Sequence, residues 1–177
     1  MEKTDFENIY NHVIPIEDFR MKWRFMDSKY DILPAEHLAQ LKPLDNKASG
    51  FLWDFILDSQ LHNDIPFTKD FFQVIDKASI NDNNESEIRK WLYHRGLPFS
   101  KDVFLSWQPE DAMIVPWKIF IKYFDSFYYS ISDDLTVFDE SLQWALMFYH
   151  ENEIYFGTNK KFVPSTNFNE VEFLWDN

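Results

Sequence analysis

The chain has 177 residues, enough for one compact domain with a substantial core, and 19% of them are aromatic, which disfavours a disordered chain. Its formal net charge of −13 disfavours binding to nucleic acids and to anionic membranes, because both carry negative charge themselves. The absence of cysteine excludes disulfides, and with no signal-peptide-like or membrane-length apolar run it predicts a cytoplasmic protein.

The N-terminal part of the chain carries mixed signals. Apolar and basic residues alternate over 19–25, which is typical of a strand, although residues 1–30 leave strand and helix both open. Pro34 can occupy the first position of a helix, and apolar residues follow it at helical spacing. A short helix is therefore expected to begin at Pro34 and to end before Pro43.

Helical spacing of apolar residues predicts three further helices, which begin at Asp45, Thr68 and Asn84. Asp45 and Asn84 are of the residue type that caps a helix N-terminus, and the last helix is expected to end at Gly96. Residues 34–96 should therefore form a layer of short helices.

Strand signals dominate the C-terminal half. The segment WALMFYHENEIYFG has two apolar arms on either side of Glu151-Asn152, which predicts a hairpin over 143–157. Pro116 is expected to begin a helix that continues to residue 127. Further strands are expected at 103–105, 127–131 and 135–138.

These elements predict an α+β fold in a single domain over 1–177. Residues 34–96 supply the helical layer, and residues 103–157 supply one helix plus antiparallel strands. We expect an antiparallel β-sheet, built mostly from the C-terminal half and covered on one face by the short helices.

No pattern of catalytic or metal-binding residues stands out. The five histidines form no His-Glu-x-x-His motif, and no serine lies in a Gly-x-Ser-x-Gly turn. The segment from Asp82 begins like a calcium loop, but it has no central glycine, and Tyr93 occupies the twelfth position. We therefore expect no catalytic residues, no metal and no cofactor.

Acidic and aromatic residues alternate toward the C-terminus, where seven acids and two lysines lie between Asp139 and Asn177. Such a surface suits a protein that binds a basic partner, although a simple solvated acidic surface is the alternative interpretation. The residues expected to contact a partner are Asp133, Asp134, Asp139, Glu140, Glu151, Glu153, Tyr155 and Trp175.

The order of elements over 103–157 resembles bacterial toxin-immunity proteins of the contact-dependent growth inhibition type. The resemblance lies in WKIFIKYF (117–124), the pair Asp133-Asp134 and the segment 144–157, about a third of the chain. The segment LAQLKPL (38–44) is also similar to an uncharacterised bacterial family.

The resemblance implies a non-enzymatic cytoplasmic inhibitor that binds and neutralises a cognate toxin, without catalytic residues of its own. Many such toxins are nucleases, whose surfaces are basic because they hold phosphate backbones. We expect a monomer or weak homodimer. The alternatives are an uncharacterised cytosolic protein-binding domain and a metal-dependent hydrolase that uses clustered carboxylates.

Overall fold

A computed structural model describes residues 3–159, and seven strands in this range form one antiparallel sheet. The strands are β1 (Lys42–Pro43), β2 (Val74–Ser79), β3 (Asp102–Gln108), β4 (Asp111–Pro116), β5 (Leu135–Phe138), β6 (Trp144–Tyr149) and β7 (Glu153–Thr158). Their order across the sheet is β1-β4-β3-β5-β6-β7-β2. The C-terminal half supplies the five central strands, and β1 and β2 form the edges, so the predicted α+β fold is confirmed.

Short helices surround the sheet. Within the described residues the α-helices are α1 (Trp23–Met26), α2 (Ala35–Leu38), α3 (Asn46–Ser59), α4 (Glu85–Tyr93), α5 (Trp117–Lys122) and α6 (Phe124–Phe127), and two 3-10 helices span Ile9–His12 and Ile16–Asp18. Helices were predicted to begin near residues 35, 46, 85 and 117, and the observed bounds agree with these predictions. Asp45 caps α3 as expected, because its Oδ1 accepts a hydrogen bond from the Ala48 N–H at 2.9 Å.

The sheet is covered on both faces, whereas the sequence predicted cover on one face only. Trp144, Leu146 and Phe148 of β6 pack into one hydrophobic cluster with α5, and we call this side the α5 face. Ala145 and Met147 of the same strand pack into a second cluster with α3, and we call this side the α3 face. Because neighbouring residues of a strand point to opposite faces, both sets must be apolar.

The predicted hairpin is confirmed in its register and in its packing. Tyr149 pairs with Glu153, so the turn falls at Glu151-Asn152, and Asn152 adopts a left-handed φ of 63°. Phe148 is fully buried, and its ring meets that of Phe120 edge to face at 5.5 Å. The hairpin therefore packs its larger side chains against the α5–α6 segment.

Of the two conformations left open for 19–25, the strand is not formed, because the segment begins with turn residues and ends in α1. A helix can turn Arg24 and Phe25 inward together, and both are buried. In a strand, these two neighbours would have pointed to opposite sides.

The helix expected from Thr68 is also wrong, since β2 lies in its place and makes the layer over 34–96 only partly helical. β2 pairs along its whole length with β7, and most of its side chains are exposed. Its conformation is therefore fixed by hydrogen bonds to a distant strand, which leave little mark on the local sequence pattern.

Three differences concern the C-terminal half. The single helix expected from Pro116 to residue 127 is divided at Tyr123 into α5 and α6. Residues 127–131 do not form a strand, because α6 extends to Phe127 and irregular chain follows. Strand β4 was not predicted, although it is buried throughout and pairs with β3.

The packing of the hairpin predicts the effect of truncating Phe148. Phe148→Ala should lower the free energy of unfolding by about 3–5 kcal/mol, because it removes a buried ring and leaves a cavity. Ile32→Ala, at an exposed residue, should change it by less than about 0.5 kcal/mol. Urea unfolding followed by fluorescence measures both, and equal losses would contradict the packing described here.

Candidate binding site

The acidic residues predicted to contact a partner lie at opposite ends of the short strand β5. Asp134 precedes β5 and is joined to the hairpin turn, where its carboxylate accepts hydrogen bonds from the backbone N–H of His150. Glu140 is exposed beyond the other end, roughly 20 Å away along an extended chain. These carboxylates therefore do not form one continuous surface.

Asp133 is not an exposed contact residue, contrary to the sequence prediction. Its side chain is 7% exposed and forms a two-pronged ion pair with Arg24, at 2.6 and 3.0 Å. It also accepts a hydrogen bond from the Tyr129 N–H. Asp133 therefore joins α1 to the loop before β5 and has a structural role.

Asp139 is likewise buried rather than available to a partner. Burial alone would raise the pKa of its carboxyl group, but hydrogen bonds from Ser141 and Trp144 and the charge of Lys101 outweigh this effect and lower the pKa. Asp139 therefore holds the end of β5 against the start of β6.

Glu153 and Tyr155 lie on β7 and contact each other through the tyrosine hydroxyl. Lys77 of β2 also pairs with Glu153 at 2.9 Å, so this carboxylate is partly neutralised. The remaining predicted contact residue, Trp175, lies outside the described residues.

The loop 128–134 contains the most exposed large apolar side chain of the described chain, that of Ile131. Ile131 is 88% exposed and has a φ of 74°. A left-handed conformation is sterically unfavourable for a β-branched residue, so both its backbone and its side chain are in unfavourable states. Ile131 was not among the predicted contact residues, because the run 127–131 resembles a strand.

Aromatic side chains of α1 and of the segment after it pack against this loop. The Tyr129 ring stacks on that of Tyr30 at 6.0 Å and contacts that of Trp23 at 5.6 Å. The Arg24 guanidinium lies 4.5 Å from the centre of the Tyr129 ring, which favours a cation–π contact. The loop is therefore held by the same arginine that pairs with Asp133.

The side of the loop toward α4 is acidic. A cavity of about 290 Å³ there is lined by Asp82, Glu85 and Asp125 among other residues. Burial raises the pKa of Asp125, and the charges of Asp31 and Glu85 raise it further against the opposing effect of Arg89. The carboxylates at this end are thus close enough to repel one another.

A larger cavity, of about 400 Å³, lies on the opposite side of the loop, between the C-terminal end of α3 and the α3 face of the sheet. Polar and apolar side chains contribute to it. Its lining residues are Trp53, Ile56, Leu57, Gln60, His62, Asn63, Ser106, Trp107, Gln108, Ser132, Asp134, Thr136 and Met147.

His62 is held in this cavity by hydrogen bonds at both ring nitrogens. Its Nδ1 lies 2.6 Å from the Pro66 carbonyl oxygen, which can only accept, so Nδ1 must carry the proton. Nε2 lies 2.9 Å from the Thr136 hydroxyl, and in the neutral ring it accepts a hydrogen bond from that group. Burial lowers the pKa of His62, although the Pro66 carbonyl and the charge of Asp134 oppose this shift.

Ser106 of β3 contributes a hydroxyl without a partner. The residue is 4% exposed, and its buried Oγ forms no hydrogen bond with any described residue. It pairs across the sheet with Thr136, so the two hydroxyl residues lie side by side on the α3 face. An unpaired buried hydroxyl is uncommon in native proteins.

Two negative findings apply to residues 3–159. No three side chains of His, Asp or Glu converge there in a way that could hold a metal ion. No helix in this range is long and apolar enough to cross a membrane.

Comparison with known proteins finds no matching family model, curated protein or solved structure.

The buried ion pair predicts a large effect of removing one partner. Arg24→Met should lower the free energy of unfolding by about 3–5 kcal/mol, because it leaves the Asp133 charge buried and unpaired. Lys77→Met, which removes the exposed partner of Glu153, should have little effect. Chemical unfolding compares the two, and a small loss for Arg24→Met would contradict a structural role for the pair.

The lowered pKa of His62 predicts how stability depends on pH. Because its pKa is lower in the folded than in the unfolded chain, the unfolded state binds more protons below about pH 6.5. The free energy of unfolding should therefore decrease as the pH falls from about 6.5 toward the folded-state pKa. His62→Gln should flatten this part of the profile, measured by urea unfolding between pH 5 and 8, and an unchanged slope would contradict it.

Proposed function

We propose that the protein is a non-enzymatic inhibitor of the immunity type, which binds a basic nuclease toxin through the surface around the loop 128–134. The observation that carries the proposal is Ile131, an exposed apolar side chain on a sterically unfavourable backbone, with carboxylates nearby.

The conformation of Ile131 favours a binding role over a purely structural one. Residues kept in rare backbone conformations cluster at functional sites, since elsewhere a glycine or asparagine would remove the strain. The Ile131 side chain contributes little to the core because it is almost fully exposed. A partner that covers it would supply the missing burial.

The surroundings of Ile131 resemble the centre and rim of a protein interface. Tyr30 is 46% exposed next to Tyr129, and tyrosines are common in interface cores. Asp31, Asp134 and Glu151 are exposed around them. Burial raises the pKa of Tyr129 to about 12, and Asp31 and Asp125 contribute to the increase although Arg24 opposes it.

Charge makes a basic partner the better match. With a net charge of −13, the protein attracts positively charged surfaces and repels other acidic ones. Nuclease domains expose basic surfaces to hold phosphates, so an acidic inhibitor can occupy the place of the nucleic acid. A toxin encoded beside this protein is the natural first candidate for the partner.

The test is co-expression with the toxin of the neighbouring gene, followed by binding kinetics at two ionic strengths. Binding and protection of the cells support the proposal, and failure of both refutes it. The double charge reversal Asp31→Lys/Glu151→Lys should slow association, and added salt should remove most of that difference, because exposed charges are screened. The single reversal Glu140→Lys, at the far end of β5, is the matched control for Glu151→Lys alone and should have a smaller effect.

Ile131→Gly separates binding from folding. Glycine adopts a φ of 74° without strain, so the variant should be about as stable as the original protein. It should nevertheless dissociate at least tenfold faster from the toxin, since it lacks the central apolar side chain. Unchanged dissociation would place the interface elsewhere on the protein.

A further inference from the structure

We infer that Asp134 is a positioning residue of the proposed toxin-binding surface. It joins the loop 128–134 to the hairpin turn 149–152 and thereby holds Ile131 in its exposed, left-handed conformation. The binding role rests on the proposed function, but the hydrogen bonds lie within the free protein and can be tested without a partner.

The backbone of Ile131 is bonded directly to the hairpin turn. Its N–H donates a hydrogen bond to the carbonyl oxygen of His150 at 2.9 Å. A φ of 74° is unfavourable for a β-branched residue, so a loop without support would favour a more common conformation. The bond to His150 therefore helps to keep the Ile131 side chain where a partner can reach it.

Asp134 fixes His150 in the place that this bond requires. Its Oδ1 accepts a hydrogen bond from the backbone N–H of His150 at 2.9 Å, and the ring Nδ1 of His150 lies 2.9 Å from the same oxygen. The backbone of His150 is thus bonded to the loop twice, through its N–H to Asp134 and through its carbonyl to Ile131.

The hairpin turn is itself held on two sides. The Tyr128 hydroxyl donates a hydrogen bond to the Tyr149 carbonyl and accepts one from the Asn152 N–H at 3.2 Å. On the side of β2, the Ile80 N–H donates to the Asn152 carbonyl at 2.8 Å. The turn is therefore a fixed support, to which Asp134 and Ile131 attach the rest of the loop.

Asp134 differs from its neighbour Asp133 in what its bonds can stabilise. Asp133 is buried in the ion pair with Arg24, which anchors the loop to α1. The Asp134 side chain is 51% exposed, and exposed pairs contribute little to global stability. Its hydrogen bonds instead order a loop before binding, and a loop ordered in advance loses less conformational entropy when a partner binds.

The first test compares Asp134→Ala with Asp134→Asn in the free protein. Asparagine keeps an acceptor oxygen in the place of Oδ1, whereas alanine removes it. The Ile131 amide should exchange with solvent at least about tenfold faster in Asp134→Ala, and less than about threefold faster in Asp134→Asn, as measured by NMR. Amides of β6 should exchange as in the original protein in both variants.

Three results of this exchange experiment would overturn the inference. One is unchanged exchange of Ile131 in Asp134→Ala, and another is the same acceleration in both variants. The third is an equal acceleration of the β6 amides, because Asp134 would then support the whole fold rather than one loop.

The second test measures binding of the same variants to the toxin of the neighbouring gene. Both variants lose one charge, but Asp134→Ala should bind at least about threefold more weakly than Asp134→Asn, because only molecules with an ordered loop are competent to bind. Equal affinities would show that Asp134 does not position the binding surface. If the original protein does not bind either, the proposed function fails, and the exchange experiment alone decides whether Asp134 holds Ile131.

Discussion

The central sheet is buried on both faces, and most other features of the protein follow from this constraint. A strand covered on both sides must carry apolar residues at every position, which β4 and β6 nearly do. Large aromatic side chains fill the two resulting cores, and this accounts for much of the aromatic content. The acidic residues are thereby restricted largely to loops, strand ends and the outer faces of helices.

The same constraint gives the charged groups near the sheet two different roles. Asp133 and Asp139 flank β5, and both are buried in ion pairs that hold neighbouring segments in place. Asp134 and Glu140 are each adjacent to one of them and remain exposed. Neighbouring carboxylates therefore differ in role because of the direction in which the chain turns at each strand end.

The candidate binding features lie where the regular packing stops. The loop 128–134 runs between an acidic cavity and a larger mixed cavity, and it carries Ile131 in a left-handed conformation. Ser106, beside the larger cavity, has a fully buried hydroxyl without a hydrogen-bond partner among the described residues. The strained backbone of Ile131 is explained if binding supplies what folding leaves unsatisfied.

The fold class, the cap at Asp45, a helix that begins after Pro116 and the hairpin over 143–157 could be predicted from the sequence. These depend on interactions between residues close together in the chain, which leave a local pattern. The tertiary structure alone decided that β2 is a strand, that α1 is a helix and that Asp133 is buried. Each of these depends on a partner that is distant in the chain. β2 pairs with β7, and α1 is held by contacts of Arg24 with Asp133 and the α6 segment. Asp133 is buried because it pairs with Arg24. The cavity beside Ser106 depends on the tertiary fold in the same way, because its walls come from segments that meet only once the sheet is covered.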